Sequence, residues 1–135
     1  MIDASLLKVR RSRAGLGLFS SVDIPKGARV SEYVGKPLTW DEYMKSNSVY
    51  LFEISPRKTI DGSPRWNQAR YINHSCRPNC EIDIVRGRVF IVARRAIKAG
   101  EELHYDYGEE YFNDIIKPKG CRCEKCDPPK RQKAA

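Results

Sequence analysis

The residues best suited to chemistry gather at three places in the sequence. Cys76 and Cys80 form one pair, and Cys121, Cys123 and Cys126 crowd into a short loop near the C-terminus. Cys121-x-Cys123-x-x-Cys126 offers three thiolates, one fewer than tetrahedral zinc takes. Cys76 or Cys80 can supply the fourth and staple a loop with little core of its own to the body of the domain. Reduced, unliganded thiols are the alternative. Five cysteines leave at least one spare, and this spacing in a chain with no sign of export favours metal over a disulfide framework.

The stretch from Arg70 to Cys80, RYINHSCRPNC, packs Asn73, His74, Ser75 and Asn79 into an irregular segment beside a strand. Such a loop either satisfies buried backbone groups or hydrogen-bonds a small polar ligand. In Leu103-His104-Tyr105-Asp106-Tyr107, strand alternation puts Tyr105 and Tyr107 on one face. Two neighbouring phenols can line a narrow channel and offer hydroxyls to a nitrogen, or form an aromatic ladder in the core. Arg13-Ala14-Gly15-Leu16-Gly17 carries a Gly-x-Gly where a ligand could approach the backbone closely. Taken alone, the segment is more simply explained by a tight turn, and it lacks the spacing of a dinucleotide or phosphate loop.

The elements that must position these groups are mostly short strands. Leu6–Arg10, Leu18–Ile24 and Ala28–Val34 read as strands, with a turn at Pro25-Lys26-Gly27. Thr39 and Glu42 have capping-box spacing and predict a short helix to about Lys45. Val49–Ile54 and Lys58–Asp61 read as a pair. Cys80–Val85 alternates and turns at Arg86-Gly87 into Arg88–Ala93, the pattern of a hairpin. Glu102–Tyr107 is a further strand candidate. The fold class expected is mainly β with short helices, without internal repeats.

The chain has 135 residues, enough for one domain with a real core, and 41% of them are hydrophobic. It contains no run long and apolar enough for a membrane span, and Met1-Ile2-Asp3-Ala4 lacks a signal-peptide pattern, so a soluble, unexported protein is expected. The net charge is +8, which permits binding to nucleic acid or simply solvates a surface. Residues 101–114 hold six acids and no Lys or Arg, an acidic, aromatic segment able to bind a cation.

In the order Gly15-x-Gly17, Tyr50, RYINHSC, GEELHYDYG and Cys-x-Cys-x-x-Cys, the sequence resembles the SET-domain protein lysine methyltransferases with a post-SET zinc loop. The resemblance runs from about Leu6 to Cys126, and Asn73-His74-Ser75-Cys76 followed by Tyr105-Asp106-Tyr107 is its most specific part. It implies a fold of small sheets with a knot-like C-terminal threading. The SET domain would span residues 1–116 with a short insert at about 38–61, the post-SET loop 117–126, and a basic flexible tail 127–135. It implies S-adenosylmethionine as methyl donor on one face, and a lysine of a protein substrate, histone or histone-like, entering a channel from the other.

By the same resemblance, the backbone around Ala14, Gly15, Leu16 and Gly17 would hold the methionine part of the cofactor. Asn73 and His74 would hold its amino acid and adenine portions, Tyr50 would contact it near the channel, and Arg122 or the pair Tyr111-Phe112 would pack near the adenine. Tyr107 matches the catalytic tyrosine. Tyr105 matches the channel position whose tyrosine form favours adding one methyl. Cys76 would join Cys121, Cys123 and Cys126 on zinc, leaving Cys80 over, although the family more often places four residues between the last two ligands than the two found here. The compartment implied is cytoplasmic for a bacterial chain, and nuclear or chromatin-associated for a eukaryotic or viral one. Two rival readings are a non-catalytic SET-like module docking protein or nucleic acid, and a small zinc-containing nucleic-acid module; the second leaves RYINHSC and HYDYG unexplained.

Overall fold

The computed structural model describes residues 1–123, 125 and 126; the expected tail at 127–135 lies outside the described residues. Strands β1 (Leu7–Ser12) and β2 (Gly15–Ser20) form an antiparallel hairpin, with Ser12 opposite Gly15. The turn is only Arg13-Ala14, and Gly15 leaves it at φ +98°, a conformation strained for any side chain. The Gly-x-Gly was expected between strands. It lies instead within β2, because β1 runs on to Ser12 and keeps the ladder going to the turn.

Strand β3 (Arg29–Tyr33) is followed by β4 (Lys36–Leu38), helix α1 (Trp40–Lys45), β5 (Leu51–Ser55) and β6 (Lys58–Asp61). Thr39 Oγ1 accepts from the Glu42 amide and the Glu42 carboxylate accepts from the Thr39 amide, the reciprocal cap its spacing predicts. Strand β6 lies between β4 and β5 in an antiparallel three-stranded sheet. Strand β4 escaped the sequence reading because Pro37 weakens its signal; a three-residue edge strand tolerates the missing donor.

The hairpin β8 (Cys80–Val85) and β9 (Arg88–Ala93) forms in the expected register, and Arg86 (φ 52°) and Gly87 (φ 76°) both take the left-handed conformation its two-residue turn requires. Strand β9 is central, flanked by β3 and β8, and its Val89, Phe90, Ile91 and Ala93 are buried. Val89, Ile91 and Ala93 make the core with Leu18, Ile24, Val30, Ile72, Ile97 and Leu103, each large aliphatic contributing about 1.5–3 kcal/mol by leaving water, while Phe90 on the other face lies under Arg29 and Arg88.

Two strand expectations are shortened. The strand read over Leu18–Ile24 ends at Ser20, and Ile24 makes only an isolated bridge to Ile97. The strand read over Glu102–Tyr107 reduces to β10 (His104–Tyr105), paired in parallel with β7 (Asn73–His74). The alternating pattern is present, but only a two-residue partner reaches it. Beyond Gly108 the chain forms a short helix α2 (Glu109–Tyr111) continued by a wide turn, Phe112–Ile116, and a tight one, Lys117–Lys119, before returning to Cys76. Among the described residues no helix is long and apolar enough to cross a membrane.

Candidate functional site

The parallel pair β7–β10 brings the two most specific motifs together, although about 30 residues separate them. The turn Gln68–Tyr71 leads into fully buried Ile72, which anchors the segment so that Asn73 and His74 follow at the surface of the core. Buried Asn79 clamps the opposing strand, donating to the Glu102 carbonyl at 2.8 Å and accepting from the His104 amide at 2.9 Å. The polar loop thus satisfies backbone groups as well as facing a cavity.

Tyr105 and Tyr107 have ring centroids 4.8 Å apart, and Tyr107 meets Tyr111 edge-on at 5.2 Å. With Tyr33, Tyr50, Phe52 and Arg70 they line a cavity of about 100 Å³. Tyr33, Arg70 and Tyr111 complete this wall without having been assigned to it from the sequence. Tyr33 donates to the Tyr50 carbonyl at 2.7 Å, Tyr111 to the Val49 carbonyl at 3.2 Å, and the Arg70 guanidinium lies 4.4 Å from the Tyr50 ring centre. Their only sequence signal was residue type; their convergence is a property of the fold.

Burial, with the neighbouring phenols adding to it, pushes Tyr105 and Tyr107 well above the ordinary tyrosine range. The Tyr107 hydroxyl donates to the Ile72 carbonyl, which requires the neutral phenol and leaves its oxygen lone pairs as acceptors. Tyr107 is therefore suited to positioning and weak polar contact, and poorly suited to act as a base.

A second cavity, of about 470 Å³, shares Tyr107 and Tyr111 with the first and is lined by Ala14, Gly15, Asn73, His74, Arg122 and the Cys121–Cys123 segment, among others. Of the residues expected at a cofactor, Ala14, Gly15, Asn73, His74 and Arg122 meet here. Tyr50 lines the aromatic cavity, while Leu16 and Gly17 line neither cavity. Leu16 is exposed, and its carbonyl accepts from Asn73 Nδ2 at 2.9 Å. Tyr111 lines both cavities, and Phe112 packs on the His74 ring at 5.4 Å.

The Asn73 amide also donates to Ser12 Oγ at 3.1 Å and to Glu102 Oε2 at 2.9 Å. His104 Nε2 stands 3.3 Å from the other Glu102 oxygen. Burial works to raise the Glu102 pKa, but the hydrogen bonds from His104, Asn73 and Ser12 outweigh it and hold the carboxyl below its ordinary value. Glu102 thus joins β1, β2, β7 and β10 at one point.

The sulfurs of Cys76, Cys121, Cys123 and Cys126 all lie within 4.8 Å of one another, with Cys76 and Cys126 3.7 Å apart. Four thiolates about 2.3 Å from a common zinc would stand at such separations. Backbone N–H groups of Cys76, Cys126 and Lys125 and the Cys121 thiol point at Cys123 and overcome its burial, lowering its pKa to about 6. Between the two candidates for the fourth ligand, the structure brings in Cys76. Cys80 is fully buried in the core, and burial pushes its thiol up to about 12.

Comparison with known proteins agrees with this architecture. A family model for the SET domain matches residues 15–108. The chain is 35% identical over 125 residues to the Drosophila melanogaster protein named histone-lysine N-methyltransferase trr, covering 83% of this chain and 5% of that protein. It is 36% identical over 126 residues to human histone-lysine N-methyltransferase 2D, covering 84% of this chain and 2% of the relative. A Chaetomium globosum protein named histone-lysine N-methyltransferase, H3 lysine-4 specific, is 40% identical over 104 residues, covering 67% of this chain and 10% of the relative. The chain thus spans a tenth or less of the length of these relatives. The matched residues include Gly15 and Gly17, the Asn73-His74 strand, and Tyr105 and Tyr107, and on this ground the chain belongs to the SET-domain family.

Proposed function

We propose that the protein is an S-adenosylmethionine-dependent protein-lysine N-methyltransferase. The observation that carries the reading is the pair of cavities that share Tyr107 and Tyr111: one narrow and aromatic, the other larger and partly polar. The names of the relatives agree with it. The larger cavity suits an amino-acid nucleoside in size and in its mixed lining of Asn73, His74, Arg122 and glycine backbone, and the four thiols suit zinc. S-adenosylmethionine, when bound, supplies an electrophilic methyl group.

A lysine amine has a solution pKa near ~10.4 and must lose a proton to become a nucleophile. The aromatic wall of Tyr33, Tyr105, Tyr107 and Tyr111 excludes water and disfavours its charged form. Tyr107, held by Ile72, presents an acceptor oxygen where the channel meets the larger cavity and contributes by orientation and weak C–H···O contact. Tyr105 narrows the channel, which favours transfer of one methyl.

A neighbouring groove of about 510 Å³ shares Tyr107 and Tyr111 with the channel and is lined by Tyr43, Val49, Glu53 and Glu109 among others, with no Lys or Arg among the described residues that line it. In a chain of net charge +8, this acidic and apolar lining favours a Lys/Arg-rich peptide, of which a histone tail is an example. The test is methyl transfer, followed by intact mass and tritium, to a panel of histones and lysate proteins, with wild type beside Tyr107→Phe. Loss of about 10²-fold or more in turnover with cofactor affinity nearly unchanged supports the reading. An unchanged rate removes Tyr107 from the mechanism, and failure to bind the cofactor overturns the reading.

A further inference from the structure

The His74 side chain is only 5% exposed, so its ring contributes to the cavity wall less by its nitrogens than by what they hold in place. Nδ1 accepts the backbone N–H of Tyr107 at 3.0 Å, and Nε2 stands 3.3 Å from the sulfur of Cys76. A ring whose Nδ1 accepts carries its proton on Nε2, so Nε2–H points at that sulfur. Tyr107 packs edge-on against the ring and Phe112 tilts onto it, both with centroids at 5.4 Å, leaving the imidazole little freedom to rotate. One rigid side chain therefore touches the seat of the channel tyrosine and a member of the thiol cluster at the same time.

We propose that His74 is a positioning residue that couples metal occupancy of the cysteine cluster to the placement of Tyr107. This rests on reading Cys76, Cys121, Cys123 and Cys126 as a zinc site. A cluster of four thiolates around a divalent ion carries excess negative charge, and an N–H donor to one sulfur stabilises the loaded site; outer donors of this kind are worth about 10–100-fold in metal affinity. Loading in turn fixes the ring, and the ring fixes the Tyr107 amide. Coupling of this sort is reciprocal: whatever seats Tyr107 also strengthens metal binding.

Two substitutions separate the two ends of the imidazole. In His74→Asn the side-chain oxygen replaces Nδ1 as acceptor for Tyr107, while the donor to Cys76 is lost. In His74→Gln the side-chain amide reaches the Nε2 position and keeps that donor, while the acceptor is lost. The experiment measures zinc affinity of the full chain by competition with a chromophoric chelator, and the amide resonance of Tyr107 with and without zinc, with circular dichroism to confirm folding.

The proposal expects zinc removal to shift the Tyr107 amide in wild type. It expects His74→Asn to lower zinc affinity by about 10–100-fold and to abolish that zinc-dependent shift. His74→Gln should hold zinc within a few-fold of wild type while its Tyr107 amide is displaced even when loaded. Folded His74→Asn with wild-type zinc affinity overturns the proposal, as does a Tyr107 amide indifferent to zinc in wild type. A wild type that does not bind zinc overturns the underlying reading of the cluster, a result distinguishable from either.

Discussion

The carboxylate of Glu102 occupies the space a side chain at Gly17 would need: a Cβ there would overlap Glu102 Oε2 and come within 3.1 Å of the Ser12 Cβ. Glu102 is held in turn by Asn73 and His104, so it has little room to retreat. Gly17→Ala should therefore destabilise the fold by about 1–3 kcal/mol, read as a lowered denaturation midpoint, and loosen the Asn73 side of the larger cavity. At Gly15 an added Cβ meets nothing within 4 Å, and only its φ of +98° opposes substitution; Gly15→Ala should cost about 1–2 kcal/mol through backbone strain alone. Equal binding of S-adenosylhomocysteine by Gly17→Ala and wild type would show that Glu102 moves aside freely.

The depressed pKa of Glu102 has a defined consequence for acid stability. A carboxyl whose folded pKa lies below its unfolded value, ~4.3 for Glu, contributes stability that is complete above the unfolded value. That contribution is lost as pH falls through the folded one. Glu102→Gln should thus be less stable than wild type near neutrality, by on the order of 1 kcal/mol. The gap should begin to narrow below pH ~4.3 and close as pH falls through the lower folded value. Urea titrations of both proteins across pH 3–7 measure it, and a gap constant with pH would mean that the ionised carboxylate contributes nothing.

Cys76 and Cys80 lie only four residues apart but should respond oppositely to substitution. Cys76→Ser or chelation should remove zinc and open the chain around Cys121–Cys126, giving rapid tryptic cleavage after Arg122 and Lys125. Cys80→Ala should leave zinc content unchanged and lower only overall stability, since its fully buried thiol packs in the core and leaves a small cavity when truncated. Zinc lost from Cys80→Ala with the fold intact would reverse the assignment.

Tyr105→Phe removes a hydroxyl from the channel and should raise the proportion of doubly and triply methylated product with little change in the first transfer. Mass spectrometry of a peptide substrate at long reaction times reads this directly. A wild type that already yields mainly higher products would show that Tyr105 does not limit the channel.

Local signals carried much of the outcome. The capping box at Thr39 and Glu42 and the hairpin joining Cys80–Val85 to Arg88–Ala93 were legible because each depends on residues a few positions apart. The motifs around Asn73 and Tyr105, and three of the four clustered cysteines, were legible for the same reason: residue type and short spacing already express their chemistry. The strand read over Glu102–Tyr107 was not resolved at this level, since alternation describes a face and not how much partner it will meet.

Residue order alone thus determined the mainly β character, the family pattern and the chemical groups available. Tertiary structure decided which of those groups meet. It brought Cys76 to the other three clustered cysteines, as the family resemblance implied, set Gly17 against Glu102, and placed Tyr33, Arg70 and Tyr111 around the channel. It also turned the His74 ring between Tyr107 and Cys76. Each of these depends on contacts between segments far apart in the chain, which only packing of the shared core around Ile72, Ile91 and Leu103 can establish.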